Sequence, residues 1–346
     1  MNNLLKISSI ILLVFILGNS CERGTEVSKS KSLSIAFYNV ENLFDTIDDP
    51  NISDEKYTPE SEFNWNLEKY SHKLNQLSKV ISSIDTLNGF PAIIGLCEVE
   101  NLNTVKDLVA NSLLKKANYK IIHKDSPDER GIDVTMLYQR EYYTPLENSF
   151  IYVNLPDSGN TTRDILYSKG ILAGADTVHI FFNHWVSRWG GQEKTEPLRI
   201  FIAKMLKHTT DSIMQQNPNA LIIMAGDLND NPTDKSVIDF LAAHKPEKSV
   251  NNGELYNLAL SKYENGEGSI YYKGWSMFDQ FIVSSPLLNK ENKVHLTANS
   301  QNVVKYDWML FTPKNGEARP NRTAAKNYYG GFSDHLPVMI YLNVKE

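Results

Sequence analysis

Five short groups of polar residues could do chemistry, and each adjoins an apolar run. They are Asn39; Glu98, within Cys97-Glu98-Val99-Glu100-Asn101; Asn183-His184; Gly226-Asp227-Leu228-Asn229-Asp230; and Ser333-Asp334-His335. Carboxylate and amide oxygens are the donors that a hard divalent cation prefers. A carboxylate within hydrogen-bond reach can take a proton from an attacking water. An imidazole, with an ordinary pKa of about 6.5, is neutral or charged near neutrality and can donate to a phosphate oxygen. Together these groups can hold a cation and a phosphate. Singly, each has a plainer reading. Gly-Asp-Leu-Asn makes a turn, because Asp and Asn bond their own backbone; Ser-Asp-His caps an element; a lone His is usually structural. Their recurrence at the ends of hydrophobic strands argues for a site, provided those ends point one way.

The elements that must position them follow from periodicity. Alternation and β-formers predict strands over 33–38, 119–123, 133–138, 177–183, 278–283 and 336–342, and apolar runs predict buried strands over 92–97 and 220–225. Apolar spacing of three and four predicts helices over 65–84, 104–114 and 197–215, with Thr104 as an N-cap and Pro197 in a first turn. Residues 299–331 are a long polar connection, and connections of that length inside a domain are often functional. Helices alternating with strands imply sheets with helices packed outside.

The 346 residues are 41% hydrophobic, 10% aromatic and 22% charged, which is globular composition and excludes a disordered or fibrous chain. Length alone suggests about two domains. The formal charge of −6 excludes avid polyanion binding by bulk electrostatics, so phosphate chemistry needs a metal or a locally basic groove. Two cysteines, Cys21 and Cys97, exclude a disulfide scaffold.

The set Asn39-Val-Glu-Asn-Leu-Phe-Asp45, Cys97-Glu98, Arg130-Gly-Ile-Asp133, Gly226-Asp-Leu-Asn229 and Ser333-Asp-His335, in this order, resembles the endonuclease/exonuclease/phosphatase family, which includes DNase I-like nucleases. The resemblance spans 33 to about 344, so motifs at both ends of the chain must meet in one site and residues 32–346 form one domain. It implies an α/β (α+β) fold: a four-layer αββα sandwich of two packed mixed β-sheets flanked by helices. It also implies Mg²⁺, with Mn²⁺ as a substitute, held by Glu98 and Asp334 with help from Asn39. Asp227 then orients or deprotonates water, Asn229 holds phosphate, and Asp279 pairs with His335. His184 contacts phosphate or the leaving group.

Substrate contacts are read from nearby residues. Arg130, Arg188 and Arg322 suit phosphate oxygens, and Arg199, Arg319 and Lys326 also lie near the motifs. Tyr271, Tyr272 and Trp275, between Gly268 and Gly274 or just beyond, look like a hairpin tip that could stack a base or sugar. Glu100-Asn101 could instead cap the next helix. Among the family's branches, inositol polyphosphate 5-phosphatases carry Tyr-Arg after Gly-Asp-Leu-Asn, whereas Asp230-Asn231 follows here. The leading reading is a nuclease acting on DNA or RNA; the alternatives are a lipid phosphodiesterase of sphingomyelinase type, a phosphatase, or an inactive surface binding module. Residues 1–20, with Lys6 and the apolar run 10–17, read as a lipoprotein signal peptide with Cys21 as the acylated residue, and 21–31 as a flexible tether. The expected protein is an exported bacterial lipoprotein, held at a membrane through its N-terminal lipid anchor, monomeric and without an evident protein partner.

Overall fold

Every run predicted to be a buried strand lies in one of two seven-stranded sheets. The computed structural model describes residues 30–156, 161–246 and 250–345. The signal segment 1–20, Cys21 and most of the tether lie outside the described residues. One sheet runs β14 (Val294–Leu296), β18 (Val338–Lys345), β1 (Ser30–Leu43), β2 (Ile93–Val99), β4 (Asp133–Tyr138) and β3 (Lys120–Ile122), with β15 (Asn302–Val303) added on β18. The other runs β5 (Tyr143–Ile151), β6 (Ile165–Leu172), β7 (Asp176–His184), β8 (Leu221–Asp227), β13 (Asp279–Ser284), β10 (Leu255–Asn257) and β9 (Ala243–His244). The sheets pack face to face over Ile35, Phe37, Met136, Phe182, Ile223, Phe281 and Ile340. Close approach requires Gly95: a Cβ there would lie 2.3 Å from the Phe182 ring.

Helices cover both outer faces, giving four layers. Helix α1 (Leu67–Ile81) and α2 (Leu102–Ala110) bury Leu77, Val80, Val105 and Leu108 against the first sheet. Helix α3 (Gln192–Gln216) buries Ile202 and Leu206 against the second. The αββα expectation holds. Each sheet has a parallel central pair, β1 with β2 and β7 with β8. Antiparallel β18 and β13 enter beside these pairs, so their N-terminal ends meet the C-terminal ends of the parallel strands. That topology gathers the motifs.

Local predictions fail where tertiary context overrides them. The cap of α2 is Asn101, whose side chain accepts from the Asn103 and Thr104 amides; Thr104 is the third residue of a capping box. Helix α3 starts at Gln192, so Pro197 lies inside it. The start of α3 is tied down by Arg199, which is fully buried and donates to the carbonyls of Val186 and Gln192. Leu67 opens α1 but is 69% exposed. Strands β5 and β6 were not predicted, because β5 is a solvated edge strand with Pro145 in it and no apolar run. Ser30 and Lys31, expected in the tether, pair with Lys345 and Val344. Within the described residues, no helix is long and apolar enough to cross a membrane.

Candidate active site

Sheet register sets the floor of the site. Asp227 lies opposite Asp279 on one side and His184 on the other, and Asn39 lies opposite Cys97, one residue before Glu98. Both strand ends in the first sheet are irregular. The pairing slips between Asn39 and Leu43 and between Cys97 and Val99. Glu41, Asn42 and Glu98 occupy the left-handed region with φ of 52°, 54° and 62°, as does Asn229 at 50°. Left-handed non-glycine residues cost about 1–3 kcal/mol each and concentrate where side chains are re-aimed. The bulge at Glu98 turns its carboxylate toward the second sheet, 3.8 Å from His184 Nε2.

A hydrogen-bonded imidazole–carboxylate pair, faced by a second carboxylate, lies at the centre. His335 Nδ1 donates to Asp279 Oδ2 at 2.6 Å, which orients the ring, because a carboxylate only accepts. His335 Nε2 faces Asp227 Oδ2 at 3.7 Å. Burial alone would lower the His335 pKa, but the carboxylates of Asp279 and Asp227 outweigh it and hold it well above the ordinary value. Burial pushes the Asp227 carboxyl up to about 6, against the pull of the His335 charge. Asp227 is aimed by the Asn39 side-chain amide on Oδ2 at 3.0 Å and by the Asn229 amide on Oδ1 at 2.9 Å. Ser333 Oγ donates to the Asn39 carbonyl at 2.7 Å and accepts from the His335 amide at 3.1 Å, tying β18 to β1. His184 Nε2 is 3.7 Å from the same Asp227 oxygen; burial, reinforced by Arg163 and Arg130, keeps its pKa well below the ordinary value. The site thus pairs a cationic imidazole with a neutral one across a single carboxylate.

The donor set fits a divalent metal. Asp334 and Glu98 are partly exposed, each with one oxygen held by the protein and one without a hydrogen bond among the described residues. Glu98 Oε2 accepts the Asn42 amide at 3.0 Å, and Asp334 Oδ2 accepts Arg322 at 3.0 Å. The remaining Glu98 Oε1 and Asp334 Oδ1 are oxygen donors of the kind Mg²⁺ or Mn²⁺ takes. When bound, such an ion neutralises charge developing on phosphate oxygens. A tighter group, Asp227, Asp279 and His335, has its ligand atoms within 4.8 Å of one another, but the Asp279–His335 bond already closes it.

Several of the expected site residues are held by other parts of the chain. Asn39, expected beside the metal, has its amide oxygen on the Glu41 N–H at 2.9 Å and its NH₂ on Asp227. Asn229, expected on phosphate, donates its side chain to the Trp185 carbonyl at 3.1 Å. Arg188 braces the loop after β8: it pairs with Asp234, bonds Asp230 at 2.9 Å and donates to the Asn229 carbonyl at 2.7 Å. Arg199 bonds Asp230 at 2.7 Å from full burial and is structural. Arg130 stands at the mouth, bonding Asn42 at 2.9 Å and lying 3.9 Å from Glu98.

The predicted hairpin exists as β11 (Ile270–Tyr271) and β12 (Trp275–Ser276), and Ile270 bridges to His335. Of its three aromatic residues, Tyr271 and the tip residue Tyr272 part from Trp275. Tyr271 helps line a cavity of about 560 Å³ beside Asp334, whereas Trp275 lies outside that cavity with Lys305 Nζ 4.6 Å from its ring centroid. The cavity's other wall comes from the polar stretch 299–331, where β16 (Leu310–Phe311) pairs with β17 (Arg319–Pro320). Arg322 and Arg319 line it, and Lys326 is exposed away from it.

Two buried residues were missed. Glu41 accepts from Arg322 Nε at 3.0 Å and from the Thr323 amide at 2.6 Å. Lys73 reaches from α1 to the Thr323 hydroxyl at 2.5 Å and the Phe332 carbonyl at 2.7 Å. Together they clamp the segment that carries Asp334. Burial raises the Glu41 pKa to about 7 and lowers that of Lys73 to about 8. The signal was available: Lys73 lies three residues after Tyr70 and four before Leu77, on the apolar stripe of its helix.

Residues 34–344 match the Endonuclease/Exonuclease/phosphatase family. A search of curated proteins returns no match. Among solved structures, a family protein from Bacteroides thetaiotaomicron is 16% identical, with TM-score 0.54 over 92% of this chain and 99% of that one. A humanised D. rerio TDP2 is 15% identical, with TM-score 0.54 over 90% and 98%. A Bacteroides thetaiotaomicron mannosyl-6-phosphatase is 17% identical, with TM-score 0.53 over 90% and 99%. At these identities the structures establish the shared fold.

Proposed function

The chain belongs to the endonuclease/exonuclease/phosphatase family of metal-dependent phosphoester hydrolases, and within it we propose an exported nuclease that cleaves DNA or RNA. One observation supports this reading: Asp334, whose Oδ1 makes no hydrogen bond among the described residues and which adjoins His335 in sequence, lines a cavity walled by aromatic and cationic side chains. Aromatic faces and guanidinium groups are what bases and phosphates bind. In the proposed reaction water attacks the phosphorus as Asp227 takes its proton, and the bond from phosphorus to the leaving oxygen breaks, that oxygen taking a proton from solvent. Imidazolium His335, charge-balanced by Asp279, donates to a phosphate oxygen, and neutral His184 approaches the same centre. A bound Mg²⁺ or Mn²⁺ would be held by Glu98 and Asp334 and would offset charge on the phosphate.

The solved relatives include TDP2, one of them complexed with a single-strand DNA product, and a mannosyl-6-phosphatase. They make a small-molecule phosphatase the second reading. The test is hydrolysis with Mg²⁺ or Mn²⁺ of plasmid DNA, single-stranded DNA, RNA, sphingomyelin and sugar phosphates in parallel. Cleavage of nucleic acid is expected; cleavage confined to sphingomyelin or sugar phosphates would replace the nuclease reading. We further propose export and acylation at Cys21, supported by the apolar run 10–17 and the small residues before Cys21. Wild-type chain should take up a palmitate analogue and Cys21→Ser should not; labelling of Cys21→Ser would overturn the assignment.

A further inference from the structure

We infer that the cavity beside Asp334 receives one unstacked nucleotide flanking the scissile phosphate, so that the enzyme selects single-stranded over duplex nucleic acid. The inference rests on the nuclease reading above and narrows it. Five aromatic side chains are strongly exposed among the described residues: Tyr152, Trp189, Tyr272, Phe311 and Tyr329. Tyr272, Phe311 and Tyr329 all line this cavity. Exposed rings gathered in one place offer faces for stacking. Both walls carry a cation on a ring, Lys273 at 5.5 Å from the Tyr272 centroid and Arg319 at 5.7 Å from that of Phe311. That combination of rings and positive charge suits a base together with its phosphate.

The cavity is also tied to the reacting centre. Arg322 lines it while bonding Asp334 and Glu41. One of its amino nitrogens makes no hydrogen bond among the described residues and can donate to a phosphate oxygen. The hairpin wall is joined to the segment leading into β18 by the Ile270–His335 bridge and by the Leu336 amide on the Ser269 carbonyl at 2.7 Å. The opposite wall is folded on itself, with the Phe332 amide on the Asn321 carbonyl at 2.6 Å. Gly331 permits this, since a Cβ there would lie 2.1 Å from that carbonyl oxygen.

A volume of about 560 Å³ lies within the range of small-ligand pockets. It holds a nucleotide and excludes a helix. A base inside a duplex is stacked on both faces and must be extruded before it can enter such a pocket. Stacking on aromatic rings is indifferent to base identity, so the same walls give strand selectivity without sequence selectivity.

The test uses the full chain with Mn²⁺ on one oligonucleotide sequence, presented single-stranded and annealed to its complement. Single strands should be cleaved with a kcat/KM roughly 10–100-fold higher, the factor that one base–aromatic stack supplies. Tyr272→Ala and Tyr329→Ala, both at exposed positions, should bring that ratio toward one, mainly through KM on the single strand. Equal cleavage of both forms overturns the inference and leaves the nuclease reading standing, as does a ratio that neither variant moves. Hydrolysis of sphingomyelin or a sugar phosphate with neither oligonucleotide cleaved overturns both.

Discussion

The floor of the site and its rim are built by different means. On the floor, Asp227, Asp279, His184 and Asn39 sit on strands, at positions fixed by register with their neighbours. Each is at least nine-tenths buried. At the rim, Tyr272 stands on a hairpin tip, Phe311 and Arg319 on the short β16–β17 pair, and Tyr329 on the loop after it. The groups proposed to react are thus held by sheet register, and those proposed to bind substrate by connections outside the two large sheets. Floor substitutions should therefore act on turnover, and rim substitutions on substrate binding.

The hardest way to break that division is to remove the metal. EDTA should abolish hydrolysis of every substrate and Mg²⁺ or Mn²⁺ should restore it, because Glu98 and Asp334 offer oxygen donors alone. Full turnover in excess chelator would dismiss Glu98 and Asp334 as metal ligands. The next largest effect falls on the His335–Asp279 pair. His335→Gln should lower kcat by roughly 10²–10⁴-fold, the range of a positioned acid–base group. Asp279→Asn should cost less, since the imidazole remains. The double variant should be little worse than His335→Gln, because the pair acts as a unit. His335→Ala is a poorer probe. It leaves the fully buried Asp279 carboxylate without a partner, which can destabilise by about 3–5 kcal/mol. A His335→Gln enzyme that keeps its melting temperature and more than about a tenth of wild-type turnover would remove His335 from the reaction.

The same contrast governs what could be read from the sequence. The apolar runs announced β2 and β8, and Glu98 and Asp227 announced themselves by ending those runs. Orientation was harder to read. Asn39, Asn229 and Arg188 belong to the site, yet they aim Asp227 or brace its loop, and only the paths of their hydrogen bonds reveal this. Glu41 was hidden because its neighbours, Arg322 and Thr323, are 281 and 282 residues away in sequence. Lys73 could have been found, as a charge on an apolar stripe. The cavity could not: Phe311 and Tyr329 carry no local pattern, and it takes the pairing of Phe311 with Arg319 and the Tyr329 amide on the Thr323 carbonyl to bring them to its lining.

Acidity sharpens the floor further. The Asp227 carboxyl titrates at about 6 and must be ionised to accept a proton from water. Activity should therefore rise with pH through about 6. His335 is held well above its ordinary pKa, so it stays charged across that limb and activity should decline only on the alkaline side. The charge on His335 pulls the Asp227 pKa down, and Asp279 pushes it up. His335→Gln removes the pull and leaves the push, so the acidic limb of its residual activity should move to higher pH. A limb that stays in place or moves to lower pH would mean that Asp227 is not the titrating base.

The smallest expected effect tests the rim against itself. Tyr271 and Trp275 are register partners in one hairpin, with ring centroids 5.6 Å apart, edge to face. From sequence they looked equivalent. In the structure Tyr271 lines the cavity, while Trp275 packs against the hydrophobic cluster beneath α1 and α2 with Lys305 over its ring. If substrate enters the cavity, Trp275→Phe should leave KM within about a factor of two, since a volume-reducing aromatic swap in a half-buried cluster costs little more than about 1 kcal/mol of stability. Tyr271→Ala should raise KM by roughly tenfold, the lower end of what losing one stacking surface does. Neither should change kcat much, because neither ring reaches Asp227 or His335 by hydrogen bond. A Trp275→Phe enzyme with the larger rise in KM would put the substrate on the outer face of the hairpin, and the cavity beside Asp334 would lose its role in binding.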